Sequence, residues 1–341
     1  CAGGGVRLAV DRDPVVEHLW ETNDGTTPRA IIESFVDEMM LLDDYLEELC
    51  KVNDATTITI EGRGANYPFT GFDQMKFVEV DNIPGVDVLK EYPHARSHRN
   101  GTKLFKVVDD NVKTRGIEVR FSTPARRLIT QNTNEVRGLW VDGPDGLKSI
   151  KATKGVILAC GGFEAAPEMQ RQFWQIYPVL SAAHQGNTGD GIKMATDVGA
   201  DLWHMWHYHG SYGFDHPEYP YAIRMKRLPD WIPGREATAV VQMTWIVVDK
   251  FGKRYMNENP PYTQDTSHRP MEFYDTVTQD FPRIPSYVIF DEVGRRRYRV
   301  GAPTRNDPDA HYDWSDDNLQ EIESGLIRKA DSISELAVLI D

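Results

Sequence analysis

The chain has 341 residues, 40% apolar and 26% charged, with 52 acidic against 38 basic side chains and a formal net charge of -14. Such a composition describes a globular protein of about two domains with a sizeable core, and its acidity argues against non-specific nucleic-acid binding, which needs clustered Lys and Arg. No apolar run reaches the roughly 20 residues that span a bilayer, and Cys1, Cys50 and Cys160 form neither a disulfide framework nor a CxxC metal site.

From the start, Cys1 to Ala9 are small and Gly-rich. Ile31, Ile32, Phe35, Met39, Leu42 and Leu46 recur near three and four, the period of a helix. Pro28 fits its first turn, and Thr26 or Thr27 its cap. The region Asn53 to His98 is irregular, with a β-like run at Thr56 to Ile60. Gly101 opens a predicted helix, Leu104 to Thr114. Ile117 to Phe121 and Arg126 to Ile129 read as strands. A hairpin is expected around Asn134, with Val136 to Val141 returning and a second turn at Gly143-Pro144-Asp145-Gly146. Gly155 to Ala159 is wholly apolar and ends at Cys160-Gly161-Gly162, the pattern of a central parallel strand covered on both faces. Beyond Trp174 the character changes to crowded Trp, Tyr, His and Pro, which reads as a second domain carrying substrate contacts. Within it, Asp190 to Val198 is a helix. Tyr287 to Phe290 reads as a return strand and Ser332 to Leu339 as a final helix.

Several motifs have two readings. Gly62-Arg63-Gly64-Ala65-Asn66-Tyr67 lacks the third glycine of a dinucleotide fingerprint and is rejected as one. Thr188-Gly189-Asp190-Gly191 at a helix start is either a polar-ligand site or an ordinary cap. Gly161-Gly162 after an apolar run either lets a ligand lie on the strand end or makes a tight turn. His204, His207 and His209 lie among Trp203, Trp206 and Tyr208. No Cys, Asp or Glu completes a metal set, so they read as an aromatic pocket wall or interface, with no metal expected. Arg295-Arg296-Arg297 is a solvated basic face or contains an active-site Arg.

In chain order, Ala2-Gly3-Gly4, Thr123 to Ile129, Gly155 to Glu164, Asn187 to Ala195, Gly252 to Glu258 and Tyr287 to Glu292 resemble the FAD-dependent fumarate reductase/succinate dehydrogenase flavoproteins, which include the 3-ketosteroid dehydrogenases. The resemblance implies an α/β fold, an incomplete Rossmann-like FAD-binding domain interrupted by an α+β capping substrate domain. The expected divisions are 1–172 for the middle of the FAD domain, 173–290 for the cap and 291–341 for the end of the cap and the return. It also implies that the family's GxGxxG unit precedes Cys1 and that its flavin-contacting segment follows Asp341.

Carried over by position, Ala2, Gly3 and Gly4 would lie along the flavin and pyrophosphate, and Ala125 would meet the adenine through its backbone. Ala159, Gly161 and Gly162 would line the adenosine side, with Thr188 and Asp190 near the cofactor. Arg295, four residues after Asp291, matches the proton-delivering Arg of the fumarate-reducing members, and Glu258 a substrate-side acid. Steroid-dehydrogenating members tend to carry Tyr in place of that Arg. After Glu258 this chain has Asn259-Pro260-Pro261-Tyr262, where fumarate reductases have a second Arg. The expectation is an FAD-dependent oxidoreductase reducing or dehydrogenating a carbon–carbon bond beside a carbonyl. Its substrate is a small molecule, bulky or aromatic in keeping with a Trp- and Tyr-rich cap. An electron donor or acceptor is implied, nucleic acid and membrane spans are not, and the expected location is cytoplasmic with a periplasmic one left open. The alternative is a truncated, non-catalytic flavoprotein fragment or a subunit that needs a partner.

Overall fold

A three-stranded antiparallel sheet opens the chain, with β1 (Val6–Ala9) and β2 (Thr56–Ile60) on either side of β3 (Met75–Asn82). The computed structural model describes residues 4–60, 67–93, 99–132, 135–182, 184–208, 210, 213–225, 244–258, 268–302 and 310–340. Ala2, Gly3, His209, Asn134 and the Gly62 to Asn66 motif lie outside the described residues, as does the segment Asn259 to Tyr262. The chain divides into two units, 1–117 with 210–214 and 223–341, and 118–209 with 215–222.

In the first unit, Val6 pairs with Val78 and Thr59 with Val78 from the other side, so β3 is hydrogen-bonded along both edges. Alternation does the rest: Val78 and Val80 point to one face and are fully buried with Leu8, Leu46, Cys50 and Val107. Arg7 lies over the Phe77 ring at 5.0 Å on the opposite face. Helices α1 (Arg12–Asn23) and α2 (Arg29–Cys50) pack on each other, and α2 packs on β1. The buried residues of α2 are Ile32, Val36, Met39, Leu46 and Cys50, a single helical stripe. Each such side chain contributes roughly 1.5–3 kcal/mol of transfer free energy. Ile31 and Phe35, which the periodicity assigned to that stripe, are exposed. Adjacent positions such as 31 and 32 diverge by about 100° and cannot share one face. Pro28 is the N-cap, without a side-chain cap bond, and Asn23 Oδ1 accepts the Thr27 N–H instead at 2.6 Å.

After a single turn, α3 (Val88–Glu91), helix α4 (Arg99–Thr114) lies against β3, and Asn111 Nδ2 ties it to the Leu49 carbonyl at 2.8 Å.

The second unit holds an antiparallel meander, β4 (Ala125–Gln131), β5 (Glu135–Gly143) and β6 (Gly146–Lys151). Gly143 pairs with Gly146, so only Pro144 and Asp145 close the second hairpin, as the turn residues predict. Helices α5 (Pro167–Phe173) and α6 (Asp190–Thr196) follow. Phe163, Ala166, Met169 and Trp174 form this unit's apolar cluster, and Trp174 packs against Tyr208 with the rings tilted at 51° and their centroids 4.8 Å apart. The remaining elements are β7 (Gly213–His216), β8 (Tyr219–Arg224), β9 (Trp245–Val248), β10 (Tyr287–Phe290), α7 (Glu292–Arg297), α8 (Leu319–Glu323) and α9 (Ile333–Ile340). β9 and β10 pair antiparallel, from Trp245 with Phe290 to Val248 with Tyr287.

Two sequence expectations fail here. Gly155 to Ala159 is not a strand, and Ile157 is 94% exposed. Ile117 to Phe121 is not one either, and Phe121 is 84% exposed. An apolar run becomes a central strand only when neighbours on both edges supply hydrogen bonds and cover both faces. Among the described residues β4, β5 and β6 pair with one another, and the ladder ends where the Ala152 N–H reaches the Arg137 carbonyl.

His18 on α1 is buried and its Nδ1 donates to the Thr70 carbonyl at 3.1 Å. Burial pushes this imidazole down, and the backbone bonds to Thr70 and Phe69 only partly oppose it. The unfolded chain therefore takes up the proton first. The resulting stability is complete above the ordinary value of 6.5 and is lost as pH falls through it toward the lowered folded value. Between about pH 7 and 5.5 the urea midpoint should fall more steeply in the native chain than in His18→Gln. Equal slopes would remove His18 from the acid transition.

Candidate functional site

Two turns lie side by side in the second unit. Cys160-Gly161-Gly162 ends the extended apolar run, and Asn187-Thr188-Gly189 leads into α6. Gly161 and Gly189 hold left-handed backbone at φ +79 and +77, which favours glycine on conformation alone. Space adds a second reason. A Cβ on Gly161 would overlap Asn187 Oδ1, one on Gly189 would overlap Met169 Sδ, and one on Gly162 would stand 2.6 Å from Glu164 Oε2. The Gly189 N–H donates to the Gly162 carbonyl at 2.9 Å and the Ala165 N–H to the Asn187 carbonyl at 3.0 Å. Asn187 Nδ2 donates to Glu164 Oε1 at 2.5 Å, and buried Gln170 donates to the Glu164 carbonyl at 2.6 Å. Ala159, Cys160 and Gly161 face outward. Among the described residues the N–H groups of Gly161 and Gly162 make no hydrogen bond, so the turn presents two bare backbone donors.

Thr188 Oγ1 donates to Asp190 Oδ2 at 3.1 Å, which orients the exposed first carboxylate of α6. That helix lies against β4, whose first residue is Ala125. Five of the sequence-predicted positions, Ala125, Gly161, Gly162, Thr188 and Asp190, thus fall on adjoining elements of one unit, with Ala159 just before the turn. Small exposed residues and free main-chain donors form a surface that can accept a polar, phosphate-bearing or planar ligand. Gly4 belongs to the other unit. It is buried at φ +88, and a side chain there would run into the Asn100-Gly101 backbone at the start of α4.

The two candidate acid–base residues lie in the first unit. Glu258 has a fully buried side chain that accepts from Arg254 Nε at 2.9 Å and Nη2 at 2.6 Å, and from the Val247 N–H at 2.9 Å. Burial pushes its carboxyl up, but the Arg254 and Val247 bonds outweigh that and hold it below the ordinary value. Arg295 sits on α7, one helical turn after the capping residue Asp291, whose Oδ1 accepts the Gly294 N–H at 2.8 Å. The Asp291-to-Arg295 spacing is therefore the first turn of a capped helix. Arg295 donates to both carboxylate oxygens of Glu292 at 2.7 Å and to the Asp317 carbonyl at 2.6 Å. The Glu292 partnership raises the guanidinium further, and bonds from Arg295 and Arg296 pull Glu292 down to about 2.

His204 and His207 interleave with Trp203 and Trp206 at ring separations of 4.7–6.0 Å. No group of three metal-ligating side chains occurs among the described residues.

Three features escaped the sequence reading. Arg254 lies four residues before Glu258, a spacing that signals pairing once the segment is known to turn. Buried Asn318 donates to the Arg295 and Tyr298 carbonyls at 2.8 and 2.9 Å and accepts from the Val300 N–H and Trp314 Nε1 at 2.8 Å each, with nothing local to announce it. The Glu164–Asn187 bridge joins positions 23 residues apart.

Residues 1–269 match the FAD binding domain family. Among curated relatives, a 3-oxosteroid 1-dehydrogenase of Mycobacterium tuberculosis is 30% identical over 232 residues, 65% of this chain and 37% of that protein. A probable fumarate reductase of Shewanella frigidimarina is 25% identical over 114 residues, 31% of this chain and 19% of that protein. The chain thus spans well under half the length of these relatives. In fold it resembles the crystal structure of a 3-ketosteroid Δ1-dehydrogenase from Sterolibacterium denitrificans, with a TM-score of 0.68, 17% identity, and coverage of 88% of this chain and 63% of that one.

Breaking the ion pair tests how Glu258 is held. In the native chain the lowered carboxyl contributes stability above its ordinary value of 4.5, lost as pH falls through the folded value. In Arg254→Met, burial dominates. The carboxyl should rise, the melting temperature should drop by several degrees at pH 7, and part of the loss should return near pH 5 as Glu258 takes up a proton. A variant that melts like the native chain at both values would show that the pair contributes nothing.

Proposed function

This chain belongs to the FAD binding domain family, whose relatives are flavoprotein oxidoreductases, and on that premise we propose that it acts on a carbon–carbon bond beside a carbonyl, with ring ketones of the 3-oxosteroid type as the substrate class. The 30% identity to a 3-oxosteroid 1-dehydrogenase carries the reading. The position named as oxidised in that enzyme belongs to the bond next to the one bearing the oxo carbon, where removal of a proton is made easier by the carbonyl.

The residues present fit the cofactor: Gly161 takes left-handed backbone, an added Cβ there or on Gly162 would meet Asn187 or Glu164, and among the described residues neither N–H makes a hydrogen bond. Ala125, Ala159, Gly161, Gly162, Thr188 and Asp190 would hold the adenosine side of FAD, mainly through main-chain groups. When bound, FAD supplies the two-electron exchange. Arg295 keeps a fixed positive charge in place by its three bonds to Glu292 and Asp317. We assign it the charge developing on the substrate oxygen, while Glu258, ionised and fully buried, serves as the counter-ion of Arg254 rather than as a proton donor.

The second reading, a flavoprotein portion that works only with another segment, is favoured by the exposure of Ile157 and Phe121 on runs that join no strand among the described residues. Such side chains are what a neighbouring strand covers.

Arg295→Gln should lower turnover of a 3-oxosteroid by about 100-fold or more, the scale of one lost electrostatic contact to a transition state, with flavin absorbance unchanged. Undiminished turnover would sink the role given to Arg295. A native protein inert toward 3-oxosteroids and enoates alike would sink the reaction class. Flavin bands that vanish on desalting would favour the second reading.

A further inference from the structure

We propose that the Glu164–Asn187 bridge is the positioning element of the cofactor cradle, setting the separation of the two glycine turns and hence the affinity for FAD. The inference rests on the assignment of Gly161, Gly162, Thr188 and Asp190 to the cofactor. Neither Glu164 nor Asn187 needs to touch FAD, because each acts through a glycine.

The geometry is reciprocal. Asn187 reaches across from the second turn, and its Oδ1 fills the space a Cβ on Gly161 would take. Glu164 reaches back from just beyond the first turn, and its Oε2 lies 2.6 Å from where a Cβ on Gly162 would stand. Their other polar atoms meet, Asn187 Nδ2 donating to Glu164 Oε1 at 2.5 Å. Two main-chain bonds run in parallel with the bridge, Gly189 N–H to the Gly162 carbonyl and Ala165 N–H to the Asn187 carbonyl. The main chain of Glu164 is itself held by Gln170, which is buried and also spans to both the N–H and the carbonyl of Val179 at 3.0 Å. Glycines that give the ligand access to the backbone also leave the turns without side-chain packing. The bridge replaces that packing from below while the outer surface stays bare. A carboxylate accepting from a carboxamide is a charge-assisted bond, stronger and shorter than a neutral one. It therefore resists the slack that two adjacent flexible glycines would introduce.

The bridge has a direction: Glu164 accepts and Asn187 donates. Asn187→Asp in the whole polypeptide sets two carboxylates against each other. In an FAD titration of the apo form at pH 7.5, its dissociation constant should rise at least about tenfold, the scale of one lost charged hydrogen bond. Combining it with Glu164→Gln inverts donor and acceptor and should restore the constant to within about threefold. Glu164→Gln alone keeps an acceptor oxygen but forfeits the charge assistance, and its constant should fall between those of the native chain and Asn187→Asp. A purely structural defect would lower the melting temperature of the apo form in Asn187→Asp without rescue of FAD affinity in the double variant, and that result would overturn the proposal. Native affinity in Asn187→Asp would overturn it as well. Gly161→Ala separates this inference from the assignment beneath it. Undiminished FAD affinity in Gly161→Ala would remove the cradle, and the bridge's role with it. Lost affinity there with native affinity in Asn187→Asp would leave the cradle standing and the bridge without its role.

Discussion

At Gly161, Gly162 and Gly189 the side chains of Asn187, Glu164 and Met169 occupy the space an added Cβ would take, and the candidate cofactor site depends on this constraint. Gly161 and Gly189 use left-handed backbone, and the groups that would collide with an added Cβ are Asn187, Glu164 and Met169. Asn187, Glu164 and Met169 fill the space beside these glycines, and among the described residues the N–H groups of Gly161 and Gly162 make no hydrogen bond, whereas that of Gly189 is spent on the Gly162 carbonyl. A family that binds FAD needs main-chain groups within reach of the cofactor, and a side chain at any of these positions would move them away.

The first unit solves a different problem, the holding of charge inside packed protein. Glu258 has no exposed side-chain surface, yet its two oxygens receive three donors, two of them from one guanidinium. Arg295 is less buried and is fixed from three directions. Asn318 secures the carbonyl of the same residue, so both ends of Arg295 are tied to the segment that carries Asp317 and Asn318. All four polar functions of Asn318 are used, which is what permits a carboxamide to be fully buried. Bidentate geometry suits arginine in both pairs, because a planar fork meets two carboxylate oxygens at once.

Local periodicity made several elements legible in advance. The helix through Met39 and Leu46, the helix ending at Thr114, the antiparallel pairing of β4 with β5, the hairpin at Gly143 to Gly146, and the helix at Asp190 all occur close to where the residue pattern puts them. Each is defined by contacts within a few residues. The apolar run at Gly155 to Ala159 is equally clear as a pattern but forms no strand here, because a strand takes its hydrogen bonds from other segments. The split of α2 into a buried stripe through Val36 and an exposed edge at Ile31 and Phe35 likewise depends on which side the sheet lies.

By itself, then, the amino-acid sequence determined the acidic, globular-type composition, the main helices and hairpins, the small residues that carry the flavoprotein resemblance, and the positions where a cofactor and an acid–base pair were to be sought. It did so because propensity, periodicity and glycine content act over one or two turns of chain. Only the tertiary structure decided that Gly161 owes its lack of a side chain to Asn187, that Glu258 is sealed under Arg254, and that Asn318 anchors the helix bearing Arg295. Those outcomes follow from which distant groups arrive at van der Waals or hydrogen-bond distance, and no local pattern contains that information.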